Sequence, residues 1–123
     1  MVDDLKTLIN PTRLRANLPH HHDAKKLILT LQQSVTEELT AITHAFAAND
    51  VKTVSFHAHS LASASLYFGF EGIGLAARTL EEKIEQGIDQ EALQKYWQRL
   101  QDACKPLQRL TPAELHVFIT QFY

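Results

Sequence analysis

Apolar residues recur at steps of three and four along almost the whole chain, the rhythm of helices that each bury one side. Ile28, Leu31, Val35, Leu39, Ile42 and Phe46 mark a first amphipathic stripe. Val54, Ala58, Leu61, Ser65 and Phe68 mark a second, Ile73, Ala77, Leu80 and Ile84 a third, and Leu93, Trp97, Leu100, Cys104 and Leu107 a fourth. No segment alternates with the period of two that a half-buried strand requires. Capping residues set the boundaries: Asp23 as N-cap of the first long helix, Asn49-Asp50 between the first two, Gly69 after the second, Gly87 as a left-handed C-cap, and Asp89 as N-cap of the fourth. Pro11 and Pro19 bracket a short lead-in. Thr111-Pro112-Ala113-Glu114 joins a capping box to a proline at the first helical position, ahead of a short last helix. The pattern predicts an all-α chain forming a single domain. Its centre is an antiparallel up-down four-helix bundle over 23–110, with lead-in helices over 1–22 and a C-terminal helix over 111–123.

Composition narrows the function. With 45% hydrophobic and 21% charged residues, the chain has the balance of a globular protein with a packed core. Its net charge is −2, and Lys and Arg are scattered rather than gathered into a stripe, so no nucleic-acid partner is expected. No apolar run approaches the roughly 18 residues of a membrane span, so a cytoplasmic protein without membrane contact is expected. Cys104 is the single cysteine and stands at core spacing, which makes it a small buried hydrophobe without an internal disulfide partner.

One residue of the second helix stands apart from its stripe. At about 100° per residue, His59 lies roughly 130° from the centre of that stripe, on the side turned to solvent. Ser55, Phe56, Ala62, Ser63 and Leu66 are its companions there, and little long or charged material shields the ring. Solitary histidines on helices are usually just solvated, so the surrounding residues decide the matter.

From Ala58 to Gly87 the chain resembles the histidine-containing phosphotransfer (HPt) domain, whose signature is approximately A-H-x-L-K-G-x-S/A-x-x-L/F-G followed by a helix carrying L-E. Ala58, His59 and Leu61 match its start, Ala64 and Ser65 its small positions, Phe68-Gly69 its end, and Leu80-Glu81 the later pair. The resemblance implies that His59 is the phosphoacceptor, carrying a phosphoryl group between receiver-domain aspartates of a hybrid histidine kinase and a response regulator. It implies that Glu81 accepts a hydrogen bond from the imidazole and orients it. Lys52, Ser55, Phe56, Ala62, Ser63 and Leu66 form the expected docking surface.

Two positions depart from the signature: the lysine three residues after the histidine is Ala62, and the next glycine is Ser63. Lys52 shares the face as a partial substitute, about 10 Å back along the axis. A stand-alone, monomeric carrier is expected, with the aromatic end Phe118, Phe122 and Tyr123 as the place where a dimer would form. No cofactor is expected on the chain; magnesium belongs to the partner receiver. Autonomous kinase activity is not expected, since there is no P-loop and Gly72-Ile73-Gly74 lacks both the remaining glycine and the strand of a nucleotide fingerprint. The competing reading is a non-phosphorylated bundle that binds a receiver or histidine kinase to inhibit or organise it.

The other histidines read more plainly. His57 lies about 200° round the helix from His59, so the two cannot chelate one metal, and it is expected to be a half-buried flank residue. His20-His21-His22 reads as polar linker before a helix. A metal-bearing bundle would use Glu-x-x-His on facing helices, and the sequence contains none.

Overall fold

The computed structural model describes residues 9–123; the part of the expected lead-in that precedes Ile9 lies outside them. Six helices follow one another, with no strand among the described residues: α1 (Pro11–Asn17), α2 (His21–Ala47), α3 (Val51–Tyr67), α4 (Glu71–Glu85), α5 (Gln90–Gln108) and α6 (Pro112–Phe122). Each of α2 to α5 packs on its neighbour in sequence, and α5 returns to α2, so the four close into a bundle with α6 laid against α2. Side-chain bonds fix the α2–α5 seam as antiparallel. Gln32 Nε2 donates to the carbonyls of Leu107 and Leu110, both at 2.9 Å, while Gln90 Nε2 donates to the Phe46 carbonyl at 2.9 Å at the other end.

The four stripes meet in the middle. Ile28, Val35, Ile42, Val54, Ala58, Ile73, Leu80, Leu100 and Leu107 are all fully buried. Each large aliphatic side chain taken wholly out of water contributes about 1.5–3 kcal/mol, which is the main force holding these helices together. Ser65 is the polar exception, buried with its hydroxyl unpaired.

The turns follow local chemistry. Asp50 caps α3 by accepting from the Thr53 N–H at 3.2 Å, after Asn49 has taken the left-handed conformation that asparagine tolerates. Gly69 and Gly87 both have positive φ and end α3 and α4 as left-handed C-caps. Thr111 and Glu114 form the capping box at the head of α6. The start of α2 departs from expectation: the helix begins at His21 with His20 as N-cap, and Asp23 sits inside its first turn. A carboxylate there still meets the positive end of the helix dipole, so the same residue stabilises the same terminus by another route. The bundle therefore begins at His21, and His21 and His22 are helical rather than linker.

A short helix fastens the end of α3. Arg13 Nη1 donates to the Leu66 carbonyl at 3.2 Å, Asn17 Nδ2 to the Tyr67 carbonyl at 2.6 Å, and the Asn10 N–H to the Gly69 carbonyl at 2.6 Å. These are carbonyls at the helix terminus that lack partners within α3. Gly69 is required here for space as well as for φ, because a Cβ on it would come within 2.8 Å of the Asn10 carbonyl oxygen.

Candidate functional site

α3 and α4 run side by side, and a glycine lets them approach closely. A Cβ on Gly74 would overlap the Leu66 side chain and fall 3.2 Å from its backbone nitrogen. Two turns along each helix from this crossing, His59 Nδ1 meets Glu81 Oε2 at 2.8 Å. An ionised carboxylate only accepts, so the contact assigns the ring proton to Nδ1 and leaves the Nε2 lone pair free. The imidazole is 68% exposed and the Glu81 side chain 17%. The carboxylate is therefore sheltered between the helices while the ring it holds stands out in solvent.

The expected docking residues divide. Phe56, at 69% exposure, stands out to solvent, as do Lys52 and Ser63, and Ser55 is half-buried. Leu66 is half-buried over Gly74. Ala62 is a correction: it is 2% exposed and belongs to the core, not to the docking surface. The helical wheel places Ala62 near His59, but α4 packs along that flank of α3 and covers it. Ser60 and Tyr67 join Phe56 and Ser63 on the exposed strip of α3.

Beside this strip a fissure of about 240 Å³ opens between α2 and α3, lined by Leu27, Ser34, Glu38, Ser60, Ala64 and Phe68. Glu38 also holds the second histidine of α3. His57 Nδ1 lies 2.7 Å from Glu38 Oε2, both side chains about one quarter exposed. Two histidines two residues apart thus turn to opposite neighbouring helices, and each finds a carboxylate. Glu38 has no sequence signal of its own, since only the packing of α2 on α3 brings it to His57. No group of three or more His, Cys, Asp or Glu among the described residues is placed to hold a metal ion. No helix of the described residues is long and apolar enough to cross a membrane.

No curated protein and no solved structure matches the chain. The family model of the Hpt domain matches residues 26–111, a span that runs from the first turns of α2 to the end of α5 and contains both His59 and Glu81. With well over half its length matched, and with the helical bundle around the match, the chain belongs to the Hpt domain family, whose role is phosphotransfer within a phosphorelay.

Proposed function

We propose that His59 is the phosphoacceptor of this chain and that Glu81 positions it. The observation that carries the reading is the exposed imidazole held through Nδ1 by a sheltered carboxylate. In the proposed step the Nε2 lone pair attacks the phosphorus of an aspartyl phosphate on a receiver domain. The N–P bond forms as the P–O bond to the aspartate breaks, and the carboxylate leaves with that electron pair. The ring keeps its Nδ1 proton and becomes positive, a charge that Glu81 stabilises. Reversal onto the aspartate of a second receiver completes the transfer. Receiver domains supply the acidic pocket and the magnesium; this chain supplies the nucleophile and the surface.

The test is to mix the protein with a phosphorylated receiver and magnesium and follow acid-labile, alkali-stable label. His59→Gln is expected to abolish labelling, and His57→Gln to retain most of it. The docking-only reading is favoured by one observation, the alanine where the signature has lysine, and no labelling of the wild type by any cognate receiver would install it; equal labelling of the His59→Gln variant would place the phosphoacceptor on another residue.

A further inference from the structure

The phosphorylated form of His59 raises a question of charge that Ala62 leaves open. A phosphoryl group at the middle of a helix gains little from the helix dipole, whose effect fades beyond the terminal turns. Nor can position 62 carry the cation, being buried. Lys52 is a poor replacement: it lies seven residues before His59, and its charge acts on the Asp50 carboxylate at the start of α3. Lys83 is turned to α5, with its ammonium 5.5 Å from the Tyr96 ring centroid, and Arg13 is spent on the Leu66 carbonyl.

The register of α3 against α4 supplies another group. Gly74 lies opposite Leu66 and Glu81 opposite His59, seven residues on along each antiparallel helix. Arg78, four residues after Gly74, therefore falls level with Ala62, four residues before Leu66. Gly74, Arg78 and Glu81 lie within about 60° of one another around α4, so the arginine springs from the same flank as the carboxylate that holds the ring. It is exposed and makes no hydrogen bond, ion pair or ring contact with any described residue. Its Cα stands about 4.5 Å along the axis from that of Glu81, well within the reach of an extended arginine.

Resting on the reading of His59 as phosphoacceptor, we propose that Arg78 binds the phosphoryl group on Nε2, supplying from the neighbouring helix the cation that position 62 lacks. A lysine at 62 would lean along α3 toward His59, because helical side chains tilt toward their own N-terminus. Arg78 tilts the other way, since α4 is antiparallel, and must turn back along α4 to reach the phosphoryl group. It is therefore engaged only when the group is present. Its contribution is that of a screened, exposed charge, a loss of about three- to fivefold in phosphoryl occupancy when removed.

Phosphoramidate, a small phosphoryl donor, tests this on the full chain with no receiver present. Wild type is expected to be labelled on His59, Arg78→Ala to reach about three- to fivefold lower occupancy at equal donor, Arg78→Lys to recover most of it, and Lys52→Ala to change little. The deficit of Arg78→Ala is expected to shrink toward 1 M salt. In ³¹P spectra the second ionisation of the phosphoryl group is expected at lower pH in wild type than in Arg78→Ala, a displacement that a loss of packing would not produce. Labelled wild type with an unchanged Arg78→Ala occupancy and ³¹P titration at low salt overturns the role of Arg78 alone. A deficit that lysine does not restore and salt does not reduce overturns it too. Wild type unlabelled on His59 removes the phosphoacceptor reading and this inference with it.

Discussion

At the scale of single residues, the chain shows how burial decides whether a reactive side chain can be reached. His59 and Cys104 are both nucleophiles on helices, and they live at opposite extremes of exposure. Burial alone pushes the Cys104 thiol up to about 12 from an ordinary 9.0, so at neutral pH it stays protonated and inert. The sign of the pH effect follows. Between those two values the folded chain keeps a proton that the unfolded chain loses, so the stabilisation is complete below about pH 9 and drains away as pH rises through the folded pKa. The slope is at most ~1.4 kcal/mol per pH unit. Cys104→Ala is expected to cost about 1 kcal/mol or more at pH 7 through the cavity it leaves. The stability gap between the two proteins is then expected to narrow above pH 9, as read by urea unfolding from pH 7 to 10.5. A gap that stays constant would show the thiol titrating alike in both states.

At the scale of elements, α3 is flanked by two long helices, α2 and α4, and fastened at its end by α1, which leaves a free strip along one side. Ser63 is on that strip and Ala62, one residue before it, is covered by α4. Ser63→Arg is therefore expected to leave the melting temperature within about 2 °C, in keeping with substitutions at exposed sites, while obstructing transfer from a receiver. Ala62→Lys is expected to destabilise by about 1–3 kcal/mol, because a long cationic side chain would be forced into a packed seam. Thermal melts with a receiver-transfer assay separate the two, and equal stability losses would mean that the α3–α4 seam is looser than this packing implies.

The pair also shows how far the sequence was legible. The stripes, the caps at Asp50 and Asp89, the glycine turns and the capping box are local signals, and the helices begin and end close to where they point. The contact between His59 and Glu81 was legible because the family signature gives their spacing. Ala62 was misplaced because a wheel drawn for one helix knows nothing of the second neighbour that covers its flank. The Glu38 contact to His57 and the carbonyl contacts of Arg13 and Asn17 were invisible for a related reason. They depend on which helices touch, and no periodicity within one helix encodes that.

At the scale of the whole molecule, the distances along the chain between contacting residues differ widely. His59 and Glu81 are 22 residues apart, whereas the Gln32 bonds that close the α2–α5 seam join residues 75 and 78 apart. Closing the longer loop costs about 1 kcal/mol more chain entropy than closing the shorter one. Contacts that are near in sequence form first where topology governs the rate, so the α3–α4 hairpin is expected to belong to the folding nucleus, with the outer seam condensing on it. Gly74→Ala, which wedges the hairpin apart, is expected to slow refolding, while Gln32→Ala, costing about 1 kcal/mol, is expected mainly to speed unfolding. Stopped-flow chevrons of the two variants decide it, since the reverse assignment of arms would put the nucleus in the seam. On that expectation the histidine and its carboxylate sit within the part of the chain that assembles earliest and comes apart last. Opening of the α2–α5 seam by thermal fluctuation is then expected to leave the contact between His59 and Glu81 standing.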